Sequence, residues 1–312
     1  MGGGYEDLII YDADKFTNLN KENTNILISS IYIPQISQKV FKLGFLNIYT
    51  FIDFILEKDT NDFKFQEYKN NEKYIKELKI LIKKFNDEES LKYLNTILNS
   101  IMQGKALNEI AKIYTNEPQY FLKSIRHLLN DINILDAGAY TGDTLREMIN
   151  LGIQPNNVYC FEADINNFNK LKTFKYELKN INNVHFKNYA LWNEKTFIGM
   201  CMNNYNARVD SDSKLKNIET AIIDEYFKNI SIGFIKMDIE GAERHALAGG
   251  IKVIERDRPI LAISIYHSLD DIVQIPNMLM KKLNNYNWFI RKHSATYSEA
   301  ILYGLPKEKA IK

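Results

Sequence analysis

The chain has 312 residues, which is more than one average domain and suits two domains, or one domain with a large extension. Hydrophobic residues make up 45% and charged residues 25%, a composition typical of a protein with a folded core. The formal net charge of +1 gives no reason to expect a nucleic-acid or anionic-membrane partner.

The two cysteines and the longest apolar stretch indicate the cellular compartment of the protein. Cys160 and Cys201 have neither CxxC nor Cys/His metal spacing, so incidental thiols in a reducing cytoplasm are expected. No secretory signal opens the chain, and residues 44–56 are too short and too polar to span a bilayer. We therefore expect a cytoplasmic protein without a membrane span. The glycines at 2–4 resemble a linker, which leaves open whether the natural N-terminus extends beyond Met1.

Residues 1–60 are predicted to form a small βαβ unit. Residues 26–30 have the pattern of a buried strand, Pro34 and Gly44 suit the start and end of a helix, and residues 48–51 form the next strand. No glycine fingerprint follows the first strand, so we expect a structural or docking role for this unit.

Residues 61–130 are predicted to be a helical connector that leans on the following domain. Apolar residues recur there at helical spacing, Asn86 with Glu89 predicts a capping box, and Gly104 predicts a helix end. A third short helix is expected at about 107–113.

From residue 131 to residue 312 strands and helices alternate, which is typical of a doubly wound α/β sheet. A helix is expected from Gly241 to about Val253, and a hairpin-like excursion with a polar loop over 197–216. Strands are predicted at 132–135, 157–162, 184–188, 232–238 and 260–266, followed by a closing pair at 288–291 and 300–303.

The segment DAGAYTGDT at 136–144 joins the first of these strands to a helix. A glycine turn at that place is a candidate nucleotide-type pocket, because glycine lets a ligand approach the backbone closely. A dinucleotide fingerprint is built for a pyrophosphate, which carboxylates at Asp136 and Asp143 would repel. These carboxylates suit a cofactor with ammonium and sulfonium cations, namely S-adenosylmethionine.

Two further acidic positions follow strands of the same predicted sheet. Glu162 ends the second strand, where an acidic side chain accepts hydrogen bonds from ribose hydroxyls. Asp238, Glu240 and Glu243 follow the fourth strand. Carboxylates there are often only a helix start favoured by the helix dipole, which accounts for Glu243. Asp238 lies at the end of the strand and is expected to face the crevice.

The segments LDAGAYTGDT, CFEAD, FIKMDIEGAE and RPILAISIYH, in this order, resemble an FkbM-type S-adenosylmethionine-dependent methyltransferase over about 131–306. The resemblance implies a class I methyltransferase fold: a Rossmann-like α/β domain with a seven-stranded sheet, here preceded by an N-terminal α/β remnant and a helical connector. It also implies O-methylation of a hydroxyl on a small-molecule or glycan acceptor, such as a sugar or secondary metabolite.

By the same resemblance, the cofactor-binding residues fall into four groups. They are Asp136, Gly138, Ala139, Tyr140, Gly142, Asp143 and Thr144 in the turn, Glu162 with Ala163 and Asp164 after the second strand, Ala190 near the adenine, and Asp238 where cofactor and acceptor meet. Tyr140 and Asp143 depart from the residues that other members often have, which leaves the detailed contacts open.

A hydroxyl acceptor needs a base, and His267 is the first candidate because it ends the fifth strand and histidine titrates near neutral pH. A structural histidine explains the position equally well. Asp238 and Glu240 are the alternative catalytic bases. No metal is expected, although Asp238, Glu240 and Asp270 could form a divalent site.

Several alternatives stay open. Arg291 and His293 either contact an acceptor or lie on a solvated hairpin, and Tyr120 and Phe121 either fold over a ligand or only pack. The chain could instead be a non-catalytic scaffold or assembly module, or a nicotinamide-dependent oxidoreductase, which the glycine spacing disfavours. The sequence leaves open the acceptor, the base and the oligomeric state, a homo-oligomer included.

Overall fold

The protein is described by a computed structural model that covers residues 19–28, 40, 42–45, 48–50, 63–104, 110, 113–173, 183–203, 206–210, 217–294 and 299–310. Strands β1 (Ile26–Ile28) and β2 (Ile48–Thr50) pair in parallel, as a βαβ unit requires. Most of the helix predicted between them, and most of the one predicted at 107–113, lie outside the described residues.

The connector contains helices α1 (Phe63–Tyr68), α2 (Glu72–Ile82) and α3 (Glu88–Gln103). The predicted capping box is wrong: Asp87 caps α3, because its carboxylate reaches the backbone N–H of Ser90 at 3.1 Å. Glu89 pairs instead with Arg291. The predicted helix end is confirmed, since Gly104 takes the left-handed conformation (φ 69°) that ends many helices.

Strands and helices alternate through the rest of the chain. The strands are β3 (Asn133–Ala137), β4 (Asn157–Phe161), β5 (Val184–Lys187), β6 (Ala190–Leu191), β7 (Phe197–Asn203), β8 (Asn206–Asp210), β9 (Ile218–Ala221), β10 (Phe234–Met237), β11 (Ile260–Ser264), β12 (Tyr286–Lys292) and β13 (Ala300–Pro306). The helices are α4 (Lys123–Arg126), α5 (Asp143–Asn150), α6 (Ile165–Thr173), α7 (Ile223–Tyr226), α8 (Glu243–Ala248), α9 (Ile251–Asp257) and α10 (Leu269–Lys282).

Seven of these strands form one sheet in the order β12-β13-β11-β10-β3-β4-β5. Strand β13 runs antiparallel to both neighbours, and the other pairs are parallel. The predicted seven-stranded class I sheet is confirmed. The strand order reverses between β3 and β10, and in such sheets ligands bind outside the carboxyl ends of the strands at that point.

Two predicted elements differ from the structure. The helix expected over 241–253 is divided into α8 and α9 at Gly249, where an added Cβ would lie 2.3 Å from the carbonyl oxygen of Trp192. The stretch expected to be a polar loop contains β8, which pairs with β7 as a hairpin beside β9 and β6.

The core explains how the connector attaches. Leu78 of α2 and Leu94 of α3 lie in one buried cluster with Leu135 and Ile263 of the sheet, so the connector helices share a core with the sheet. The hydroxyl of Tyr74 donates to the carbonyl of Leu269 at 2.6 Å, which adds a buried polar contact. The described part of the chain contains no helix with the length and hydropathy that a bilayer crossing requires.

Candidate active site

A cavity of about 530 Å³ opens at the carboxyl ends of β3, β4 and β10, within the usual size range of a small-molecule site. Gly138 forms one wall with φ 79°, and a Cβ added there would lie 1.8 Å from the carbonyl oxygen of Asp238. Only glycine therefore fits where the turn after β3 meets the end of β10. The backbone N–H groups of Gly138 and Ala139 donate to Phe161 O, which fixes the turn against β4.

Glu162 lies on the cavity wall and is only 8% exposed. Its carboxylate accepts hydrogen bonds from the backbone N–H groups of Tyr140 and Asp164, both at 2.8 Å. Burial raises the pKa of Glu162 to about 7, although these two N–H groups oppose the shift. The carboxylate is thus held in one orientation and keeps lone pairs for a ligand.

Asp136 lies beneath the cavity wall and does not line the cavity. It is completely buried on β3, opposite Lys236 in the register of β10, and its carboxylate lies 3.1 Å from the Lys236 ammonium. Burial alone would lower the pKa of Lys236, but the Asp136 charge outweighs it and raises that pKa. Lys236 also donates to the carbonyls of Ala137 and Gly138, at 3.3 and 2.5 Å, so the ion pair supports the glycine turn from below.

Asp238 faces the cavity as predicted and accepts hydrogen bonds from two tyrosines. The hydroxyl of Tyr120 donates at 2.7 Å, and the hydroxyl of Tyr266 donates at 3.0 Å. Burial would raise the pKa of Asp238, but the nearby charges of His267 and Lys236 and the two hydroxyls hold it below its ordinary value. Asp238 is therefore a fixed negative charge at the junction of three strands.

His267 lies behind Asp238, outside the cavity lining. Its Nε2 is 3.3 Å from Asp238 Oδ1 and 3.4 Å from Glu240 Oε2, and its Nδ1 is 3.2 Å from Glu243 Oε1. Burial opposes a charge on the ring, but the three carboxylates, Glu243 first, raise the pKa of His267 well above its ordinary value. A ring that already carries its proton is a poor base, so the arrangement favours a structural or electrostatic role.

The structure places the predicted cofactor residues at two depths. Those that line the cavity are Gly138, Tyr140, Asp143, Glu162, Ala163, Ala190 and Asp238, together with Glu240 from the catalytic set. Those that are not part of the lining are Asp136, Ala139, Gly142, Thr144 and Asp164. The second group supports the first: Thr144 is buried at the start of α5, and Gly142 precedes that helix with φ 93°.

Sequence reasoning missed Gln119, Lys236, Tyr266 and Glu299, which also line the cavity. Burial raises the pKa of Glu299 to about 7, and Gln119 donates to its carboxylate. Lys236 could have been recognised from the sequence, because it is a lysine inside the apolar run of β10. Asp136 lies at the matching position of β3. Glu299 had no such signal, since it comes from the distant start of β13.

Neither Arg291 nor His293 lines the cavity, and the prediction of a solvated hairpin face is wrong, because both side chains contact other segments of the chain. Arg291 pairs with Asp87 and Glu89 of the connector. The ring of His293 is hydrogen-bonded to the hydroxyl of Tyr303 at 2.8 Å and to the carbonyl of Glu117 at 3.1 Å. The two residues join the terminal hairpin to the segments before the sheet. Each of the two alternatives for Tyr120 and Phe121 holds for one residue. Tyr120 lines the cavity, whereas Phe121 is fully buried against Phe234.

Comparison with known proteins bears on the family. Residues 136–288 match the family model for the methyltransferase FkbM domain. Methyltransferase FkbM from Methylobacillus flagellatus KT is 21% identical in sequence; the match covers 93% of this chain and 76% of that chain, with a TM-score of 0.59. That likeness shows a shared fold.

Two further solved structures match less well. An rRNA methylase from Streptococcus thermophilus is 15% identical over 59% of this chain and 92% of its own, with a TM-score of 0.39. Aeropyrum pernix fibrillarin, in complex with S-adenosyl-L-methionine, is 13% identical over 56% of this chain and 67% of its own, with a TM-score of 0.36. A search of the curated proteins finds no match. The family model identifies residues 136–288 as a methyltransferase FkbM domain, and the fold of the chain agrees with that assignment.

Proposed function

We propose that the protein is an S-adenosylmethionine-dependent O-methyltransferase whose cofactor occupies the cavity at the ends of β3, β4 and β10. The observation that carries the proposal is Glu162: a buried carboxylate on the cavity wall, oriented by the N–H groups of Tyr140 and Asp164. A carboxylate held in this way after the second strand is suited to accept hydrogen bonds from the two ribose hydroxyls.

The charges around the cavity support a cationic cofactor. Five carboxylates line it, those of Asp143, Glu162, Asp238, Glu240 and Glu299. Among the residues that the structure describes, Lys236 is the one lysine in the lining, and its ammonium pairs with Asp136 below the cavity wall. Such a wall would repel the pyrophosphate of a nicotinamide dinucleotide, whereas it favours a ligand with ammonium and sulfonium groups.

Different residues of the lining suit the ribose, the adenine and the methionine end of this cofactor. Glu162 would hold the ribose, the small apolar wall of Ala163 and Ala190 would flank the adenine, and Gly138 with Asp143 would hold the methionine end. Asp136 would act indirectly, because it fixes Lys236 and through it the turn. When bound, the cofactor supplies an electrophilic methyl group, and the protein contributes orientation and proton removal.

Three acidic side chains of the lining are available to accept the proton of an acceptor hydroxyl: Asp238, Glu240 and Glu299. Of these, Glu299 has its pKa raised to about 7, and a base is most effective when its pKa lies near the working pH. We assign His267 to position Asp238, because its raised pKa keeps it protonated. We propose that the acceptor is a sugar, glycan or secondary metabolite with a free hydroxyl.

Calorimetry with S-adenosylhomocysteine tests the proposal. We expect one binding event per chain, no heat with NAD, and binding weakened at least about 10-fold by Glu162→Gln, since that change removes the charge that pairs with two ribose hydroxyls. Glu255→Gln, on the exposed side of α9, is the matched control and should bind as the wild type does. A folded protein that gives no heat with S-adenosylhomocysteine would refute the proposal.

A further inference from the structure

Behind the cavity wall, three carboxylates converge on one imidazole. Asp238 and Glu240 approach Nε2 of His267 at 3.3 and 3.4 Å, and Glu243 approaches Nδ1 at 3.2 Å. The side chain of His267 is 9% exposed and that of Glu243 is 0% exposed, whereas Glu240 lies at the rim with 46% of its side chain exposed. The centre of this cluster is therefore shielded from water.

The contacts between His267 and the carboxylates lack the alignment of good hydrogen bonds. Neither nitrogen of His267 has a hydrogen-bond partner within the described residues, although the carboxylate oxygens are close. Glu243 accepts one bond, from the backbone N–H of Ile239 at 2.8 Å, and its second oxygen is buried without a partner in the same part of the chain. Buried polar atoms without partners are costly, and in native proteins they often mark the place of a ligand or ion.

The charges of the cluster do not balance. Even with a proton on His267, the three carboxylates leave two negative charges in excess. The neighbouring cations are engaged elsewhere: Lys236 pairs with Asp136 at 3.1 Å, and Arg244 pairs with Asp271 at 3.0 Å. Among the ion pairs of the described residues, Glu240 and Glu243 have His267 as their partner and no lysine or arginine. A divalent cation in place of that proton would raise the positive charge from one to two and so lower this electrostatic cost.

We propose that Asp238, Glu243 and His267 bind a divalent cation of the Mg²⁺ and Mn²⁺ class, which displaces the proton of His267 so that the imidazole becomes a ligand. One ligand atom from each side chain lies within 4.8 Å of the others. Ligands on opposite sides of one such ion, with bonds of about 2.1 Å, lie about 4.2 Å apart, so a small adjustment of the side chains closes the site. Carboxylate oxygens suit Mg²⁺ and Mn²⁺, and the imidazole favours Mn²⁺ over Mg²⁺.

The position of the site gives the cation a role in the proposed reaction. Asp238 belongs both to the cation cluster and to the cavity wall, so the ion would lie beside the place where an acceptor hydroxyl enters. A divalent cation there would favour the deprotonated form of that hydroxyl. This role rests on the proposed methyltransferase function, whereas binding of the cation rests on the cluster alone. The site differs from the expectation drawn from the sequence, in which no metal was expected and the possible divalent site consisted of Asp238, Glu240 and Asp270.

Electron paramagnetic resonance with Mn²⁺ tests the site in the full-length chain after dialysis against a chelator. Bound Mn²⁺ loses the sharp signal of the free aqueous ion, and we expect one ion bound per chain. Glu243→Gln and His267→Gln should each weaken binding by about 10-fold to 100-fold. Glu255→Gln, which removes an exposed carboxylate on α9 outside the cluster, should bind Mn²⁺ as tightly as the wild type.

Two results would overturn the cation site. The first is a free-ion signal that is unchanged by wild-type protein at about 1 mM, a concentration that would detect even weak, millimolar binding. The second is tight binding of Mn²⁺ that both variants retain. The wild-type measurement stands even if a variant fails to fold. Calorimetry with S-adenosylhomocysteine in the presence of a chelator separates this proposal from the previous one. Binding there supports the methyltransferase function whether or not the cation site exists.

Discussion

The junction between connector and terminal hairpin differs from the cavity wall in how charges are matched. At the junction, Arg291 lies between Asp87 and Glu89, and the Oγ of Ser90 accepts a hydrogen bond from the Ile290 N–H at 2.6 Å. At the cavity, five carboxylates face one lysine that is already paired. Matched charges hold elements together. An excess of negative charge on the wall of a cavity is instead typical of a surface that binds a ligand.

The glycine turn should show the largest effect on the cavity side. Gly138→Ala places a Cβ 1.8 Å from the Asp238 carbonyl, so we expect the free energy of unfolding to fall by at least about 4 kcal/mol and binding of S-adenosylhomocysteine to be lost. Gly152→Ala is the control, because Gly152 has a similar φ of 69° with no atom within 4 Å of the added Cβ. That change should cost only about 1–2 kcal/mol in urea unfolding. Equal losses in the two variants would contradict the close approach of β3 and β10.

The buried ion pair comes next. Lys236→Met leaves the Asp136 carboxylate buried without its cation, so we expect a loss of about 3–5 kcal/mol in the free energy of unfolding. The double variant with Asp136→Leu removes both charges and should recover much of that loss, measured by urea unfolding. A double variant no more stable than Lys236→Met alone would mean that the pair is not coupled.

The hairpin junction should show its own dependence on pH. Burial lowers the pKa of His293 from its ordinary 6.5 to about 4, so the folded protein keeps this ring neutral where the unfolded chain binds a proton. The contribution of His293 to stability should therefore fall as pH drops from 6.5 towards 4, by on the order of 3 kcal/mol, and level off below that. His293→Gln should flatten this part of the curve of unfolding free energy against pH, and the same change at the exposed His127 should leave it as it is.

The smallest expected effect is at Ser90. Ser90→Ala removes the oxygen that accepts the Ile290 N–H, which leaves a buried donor without its partner. We expect a loss of about 1–2 kcal/mol in thermal or urea unfolding, with unchanged affinity for S-adenosylhomocysteine. A change in that affinity would show that the junction and the cavity are coupled.

The parts of the molecule that could be predicted from sequence are local. The apolar runs of β3, β4, β10 and β11 and the glycine turn at 136–144 each lie within a few residues, so the sheet and one wall of the cavity followed from them. Asp136 looked like a ligand contact, because its place in the motif does not show whether its side chain faces the cavity or lies beneath it.

The rest depends on contacts between distant residues. Glu299 reaches the cavity from the start of β13, and Tyr120 does so from a backbone with φ 68°, which few residues other than glycine adopt. The convergence of Asp238, Glu240 and Glu243 on His267 likewise depends on how the ends of β10 and β11 pack. No periodicity or short motif encodes such an arrangement.

A crystal structure grown with S-adenosylhomocysteine tests the central claim most directly, because it shows where the cofactor product binds. We expect density in the cavity, with the ribose hydroxyls on the Glu162 carboxylate and the methionine end beside Gly138. Density at another place on the protein, or a cavity that stays empty at saturating ligand, would contradict this account of the site.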